Sequence, residues 1–183
     1  MNVVEKITFQ ARSKRTIAAL VDIIVSRVQN TMSDEFGEFV ISVSAQNTLE
    51  SEYQHEKLPL AELLKEKVIG NPGFDFHSES STNFISFGEA KYSGSRNPYP
   101  KAINQIVDFI KLEKDSAEFT IIQHFVTEDA VNNYIKEEKA YVAAFSINAQ
   151  NAKTIMKNAL ESTHIKALFN FPEVYIIGIE INV

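Results

Sequence analysis

The chain has no cysteine. Disulfides, thiolate catalysis and cysteine-based zinc centres are thereby excluded, and the composition suits a cytoplasmic protein. Long apolar runs are also missing: nothing approaches the roughly 18 consecutive apolar residues of a membrane helix. The amino terminus lacks the basic-then-apolar plan of a signal peptide, so the expectation is a soluble protein with no membrane partner. Glycine and proline are scarce, at 6 and 5 of 183 residues, and no repeat, low-complexity segment or interdomain linker interrupts the chain. The histidines His55, His77, His124 and His164 show no H-x-x-x-H spacing, which argues against a zinc site. Positive charge is in deficit as well, with 18 Lys and Arg against 24 Asp and Glu and a net charge of −6.

What is present suffices for one core. At 44% hydrophobic content the chain reads as a single domain over 1–183 that needs no staple. Residues 1–10 read as a strand or extended arm, with Val3, Val4, Ile7 and Phe9 as its apolar members. Ile17, Leu20, Val21, Ile24 and Val28 place a helix over 13–28. The segment 35–49 fits either period: Phe39, Ile41, Val43 and Ala45 alternate like a strand, whereas Phe36, Phe39, Val40 and Val43 share a helix face. A helix is expected over 58–68, ended by Asn71-Pro72-Gly73. Beyond residue 91 the pattern predicts a loop to Pro100, a helix over 101–112 with Ile103, Ile106, Val107 and Ile110 inward, and a strand over 118–125. A helix capped by Thr127 follows, then a strand over 141–147, a helix over 148–163 and a strand over 174–183. This succession is α/β, a mixed β-sheet flanked by helices.

The densest chemical signal lies in Gly73-Phe74-Asp75-Phe76, a polar break, and Asn83-Phe84-Ile85-Ser86-Phe87-Gly88-Glu89-Ala90-Lys91-Tyr92. Read as neighbouring strands, they carry an aspartate, a glutamate and a lysine to one place. Strand side chains repeat every second residue, so Glu89 and Lys91 share a face with Ile85 and Phe87 while Ala90 points away. Charges at such a position are costly to bury and need compensation, which a cation supplies. Mg²⁺ prefers oxygen ligands and takes few protein carboxylates. Asp75 and Glu89 match that demand. The ordinary alternative is a Glu89–Lys91 ion pair near a sheet edge.

The arrangement resembles the PD-(D/E)xK nuclease superfamily, over about residues 73–110. The resemblance implies a restriction endonuclease-like core, with the motif spanning about 36–125, and a metal-dependent endonuclease that hydrolyses DNA phosphodiester bonds. Carried over, it makes Asp75 and Glu89 ligands of Mg²⁺ or Mn²⁺, Ala90 a ligand through its backbone carbonyl, and Lys91 the residue that positions or deprotonates the attacking water. The motif's proline is replaced by Phe74, and Pro72 lies three residues before Asp75. A glutamate from a preceding helix is implied too, for which Glu38 and Glu62 compete, Glu38 being favoured among apolar neighbours. Gln105 occupies the place of a glutamine near the metal site, although it equally fits a solvated helix face. His77, two residues past Asp75, is the one histidine close to the motif.

In the loop and the helix start after it, Tyr92, Arg96, Asn97, Tyr99 and Lys101 are candidate substrate contacts, because arginine and lysine pair with phosphate and tyrosine stacks on unpaired bases. Basic residues gather in two groups, Arg12, Lys14 and Arg15, then Lys91, Arg96 and Lys101. The net negative charge nevertheless predicts weak binding to naked duplex by this chain alone, since counterion release rewards basic surfaces. Phe-Gly-Glu38, Gly-Phe-Asp75 and Phe-Gly-Glu89-Ala-Lys91-Tyr are also similar to the nuclease subunit of Hachiman-type anti-phage systems. That similarity implies defence or restriction, with a helicase or other defence-system protein as partner. A repair or recombination nuclease of the junction-resolvase kind, acting as a homodimer, is the alternative enzyme. A catalytically silent binding or regulatory module is the alternative from another class.

Overall fold

A computed structural model describes residues 34–61, 73–148 and 150–181. The expected strand over 1–10, the helix over 13–28, the cluster Arg12, Lys14 and Arg15, and Glu62 lie outside the described residues. So do most of the helix expected over 58–68 and the Asn71-Pro72 part of its turn.

In chain order the elements are α1 (Asp34–Tyr53), β1 (Glu56–Lys57), β2 (Phe76–Glu79), β3 (Ile85–Lys91), α2 (Tyr99–Lys111), α3 (Lys114–Ile122), α4 (Glu128–Ile135), β4 (Ala140–Ile147), α5 (Ala152–Leu160), a 3₁₀ turn (Ile165–Leu168) and β5 (Glu173–Glu180). The five strands form one mixed, curled sheet in the order β1-β2-β3-β4-β5. Pairing is antiparallel from β1 to β3 and parallel from β3 to β5. Thus β3 is central, and it marks where the sheet changes sense.

Strand alternation distributes the core to two faces. Ile85 and Phe87 of β3, with Tyr141 and Ala143 of β4, pack against Ala102, Ile103, Ile106 and Phe109 of α2. Ala90, Val142 and Ala144 face the other way, onto Ile41, Ala45 and Leu49 of α1. Those three α1 positions are spaced i, i+4 and i+8, which settles 35–49 as helix. Asp34 and Glu35 in its first turn complement the positive end of the helix dipole. Curling brings the two rims together: His55, just before β1, lies with Nε2 3.1 Å from the Tyr175 hydroxyl of β5 and Nδ1 2.9 Å from Ser78 Oγ of β2.

The strand expected over 118–125 is instead helix, α3. Its inward positions are Asp115, Glu118 and Ile122. Two of those three are acids, so hydrophobic period gave no helical signal while Thr120-Ile121-Ile122 read as strand. Both acids are paired. Asp115 accepts from the Tyr134 hydroxyl at 2.8 Å and bridges to Lys139, while Glu118 holds His77 and the Phe74 backbone. The same effect displaces β2, expected over 73–76 and found over Phe76–Glu79 with all four residues buried. The supposed polar break is the strand itself. Between β2 and β3 the turn closes through Asn83 N to Ser80 O at 2.9 Å and Ser80 N to Phe84 O at 2.9 Å. Asn83 takes a left-handed φ of 62° there, which asparagine tolerates well.

The remaining expectations differ at their ends only. The helix over 101–112 begins at Tyr99, with Pro100 in its first turn. Thr127 does cap α4, its side chain accepting from Ala130 N at 3.2 Å. The helix over 148–163 shortens to Ala152–Leu160, because Asn151 caps it by accepting from Thr154 N at 3.1 Å. Among the described residues no helix is long and apolar enough to cross a membrane.

Candidate active site

Three features place Asp75. Phe74 is fully buried, its ring 5.3 Å from Phe87, 5.1 Å from Phe109 and 5.9 Å from Tyr141. Its N–H donates to Glu118 Oε1 at 3.0 Å. Asp75 itself donates its N–H to Gly88 O at 2.8 Å and accepts the Ala90 N–H on Oδ2 at 2.8 Å. Next to the pair Phe76↔Gly88, the last of the β2–β3 register, these two bonds hold the Asp75 carboxylate close enough for its charge to act on Glu89.

Gly88 makes that register possible. A Cβ there would stand 2.3 Å from the ring of Phe76, which lies across β3 at this point. Glu89, the next residue, is completely buried. Lys91 Nζ stands 2.7 Å from Glu89 Oε1 and 3.2 Å from Glu38 Oε1, so the lysine bridges β3 to the first turns of α1. Asp75, Glu89, Lys91 and Glu38 are therefore brought together.

Their charges act on one another. Burial pushes the Glu89 carboxyl well above the ordinary 4.5, Asp75 adds to that, and Lys91 only partly opposes it. Burial draws the Lys91 ammonium down, yet Glu89, Asp75 and Glu38 together hold it above its usual value. Both shifts express the crowding of acidic side chains around Glu89 and Lys91. Lys91 meets Glu89 Oε1 at 2.7 Å, while Oε2 has no hydrogen-bond partner among the described residues. A buried carboxylate left in this way is strongly disfavoured.

A divalent cation would suit a buried carboxylate so crowded by acids. Asp75 and Glu89 supply the one or two carboxylates that Mg²⁺ ordinarily takes from a protein. Glu38 is engaged with Lys91, and among the described residues no group of three or more His, Asp or Glu side chains is disposed to hold a metal. The fit therefore rests on two carboxylates. Ala90 turns its side chain into the α1 core and gives its N–H to Asp75.

The other candidates divide. Gln105 is half-buried on α2 and is not among the groups that shape Glu89 or Lys91. Tyr99 packs on Phe145 at 5.7 Å, and Tyr92 is half-buried in the core on the α1 side. Asn97 Oδ1 accepts from Asn148 N at 3.1 Å. Arg96 and Lys101 are exposed. His77 is fully buried, with Nε2 2.7 Å from Glu118 Oε2, and supports the segment that carries Asp75.

Two supporting residues gave little sign of themselves in the sequence. Asn148, at the end of β4, donates through Nδ2 to the carbonyls of Ser93 and Arg96 and so ties down the loop after Lys91. Glu118 was hidden by the mistaken period of its segment. The chain matches no protein-family model, no curated protein and no solved structure.

Proposed function

We propose that this protein is a Mg²⁺- or Mn²⁺-dependent endonuclease that hydrolyses DNA phosphodiester bonds on a restriction endonuclease-like core. The observation that carries this reading is Glu89: completely buried, crowded by the Asp75 carboxylate, and met by the Lys91 ammonium at 2.7 Å on Oε1 while Oε2 has no hydrogen-bond partner among the described residues. A divalent cation bound there supplies charge neutralisation at a phosphate and lowers the pKa of water. Asp75 is held for that task by the Ala90 N–H, and Glu89 by the strand that buries it. Lys91, kept as an ammonium by its three acidic neighbours, donates hydrogen bonds that orient the attacking water and stabilise developing negative charge. An ammonium so held is a poor proton acceptor, which favours positioning over deprotonation.

The biological setting that accords with this reading is anti-phage defence or restriction in the cytoplasm. A net charge of −6 favours a partner, such as a helicase, that supplies the grip on DNA. The test is to incubate the purified protein with plasmid, branched DNA and RNA, with Mg²⁺ or Mn²⁺, beside Glu89→Ala and Lys91→Ala, and to follow Mn²⁺ binding by calorimetry. Cutting of DNA is expected to fall roughly a hundredfold or more in both variants, on the scale of losing one electrostatic group. Glu89→Ala should also lose Mn²⁺ binding. Cutting that survives both substitutions, or unchanged Mn²⁺ binding in Glu89→Ala, rejects the assignment; a preference for branched DNA or RNA moves it to repair or to RNA processing.

A further inference from the structure

Gly37 is buried on α1, immediately before Glu38. A Cβ built on it would stand 2.1 Å from Cγ of Tyr92, 2.3 Å from Cδ1 and 2.7 Å from Cβ. Real Cβ atoms do not approach so closely, and the Cβ of a tyrosine is no mobile tip. The ring of Tyr92 is thus seated directly on the helix backbone. Tyr92 follows Lys91, and it packs with the α1-side core formed by Ile41, Ala45, Phe76 and Ala90. Two adjacent pairs therefore join the same points of α1 and β3: Gly37 with Tyr92, and Glu38 with Lys91.

Their relative strength decides which governs the other. The Glu38 side chain is 31% exposed, and its ion pair with Lys91 spans 3.2 Å. Partly exposed ion pairs contribute little, whereas an aromatic ring packed into a core contributes much. We propose that the seat of Tyr92 on Gly37 sets the separation between Glu38 and Lys91, so that Tyr92 is a positioning residue for the lysine rather than a substrate contact. The consequence for catalysis rests on the nuclease reading above; the positioning itself does not.

Both parts are testable. A double-mutant cycle of Glu38→Gln and Lys91→Met, read by melting temperature, measures the pair's coupling in four backgrounds: wild type, Tyr92→Phe, Tyr92→Ala and Gly37→Ala. Non-additivity of roughly 1–2 °C is expected in wild type and Tyr92→Phe, and its loss in Tyr92→Ala and Gly37→Ala. Coupling that persists without the ring overturns the proposal. Should either alanine variant fail to fold, Tyr92→Leu, apolar but ringless, decides. For catalysis, Tyr92→Ala is expected to lower kcat on plasmid about tenfold or more while its Mn²⁺ affinity stays within about twofold of wild type, because Asp75 and Glu89 keep their places. A wild type that cuts nothing counts against the nuclease reading alone, and the melting cycle then still decides the positioning.

Discussion

His77 Nε2 of β2 lies 2.7 Å from Glu118 Oε2 of α3, with both side chains buried. The same carboxylate accepts the Phe74 N–H, so one acid clamps the residues on either side of Asp75. Replacing it takes a buried acceptor away from both the Phe74 N–H and the His77 imidazole. Glu118→Ala is expected to cost about 3 kcal/mol of stability, measured by denaturant unfolding. Cutting should fall with it even in the fraction that remains folded, since Asp75 loses its support.

Glu89 is the reverse case, a residue whose presence opposes the fold. It is buried, crowded by Asp75 and only partly matched by Lys91. Glu89→Gln is expected to stabilise the metal-free protein by about 1 kcal/mol, a rise of roughly 2–4 °C in melting temperature, while abolishing cutting. A lower melting temperature in this variant would contradict the account of its charge.

The same residue sets a pH dependence. Because its folded pKa is raised, the folded state holds the proton more tightly, and the resulting stability is full below the ordinary 4.5 and lost as pH rises towards the folded value. Metal-free protein should therefore lose stability as pH climbs from about 4.5. That slope should disappear in Glu89→Gln and flatten when Mn²⁺ is added, as followed by melting curves across pH.

His55 works in the opposite direction. Burial lowers its pKa from 6.5, with Glu173 opposing. The unfolded chain takes up the proton first, so the stability contributed by neutral His55 is present above about 6.5 and is lost as pH falls towards the folded value. In the Glu89→Gln background, where the opposing slope is gone, melting temperature is expected to drop over that window, and the drop should be smaller when His55→Gln is added.

Asn148 offers a kinetic prediction. Its amide holds the carbonyls of Ser93 and Arg96, and its N–H meets Asn97 Oδ1. Asn148→Ala is expected to cost about 1 kcal/mol and to admit proteolytic nicking within 93–98. Limited proteolysis, with cleavage sites mapped by mass spectrometry, checks it; unchanged protection would show that the loop is held by other contacts.

Legibility in the sequence followed the hydrophobic signal. The apolar runs of β3, β4 and β5 and the amphipathic face of α2 were readable, since most of their buried positions are apolar. Glu89 and Lys91 sit at the end of such a run, so their shared face could be predicted from alternation alone. Where the interior is polar the reading failed: His77, Ser78 and Glu79 look like a break yet form β2, and Asp115 and Glu118 hide the inward face of α3. Their partners, Ser78 with His55 and Glu79 with Thr127, are 23 and 48 residues away in the chain. No local pattern reports a bond of that range. The pairing of Gly37 with Tyr92 was equally invisible, because it depends on how a helix lies across a strand.

The tight turn at Ser80–Phe84 sits at the opposite end of β3 from Lys91. The six steps from Ile85 to Lys91, at ~3.3 Å each, put about 20 Å of strand between them. Ser81, exposed at the tip, is accordingly the natural anchor for a fluorophore or an immobilising tag. Because the chain carries no native thiol, Ser81→Cys would take a maleimide at that one point. A label there rides on the same strand as the lysine while standing clear of the cluster of Asp75, Glu89 and Lys91.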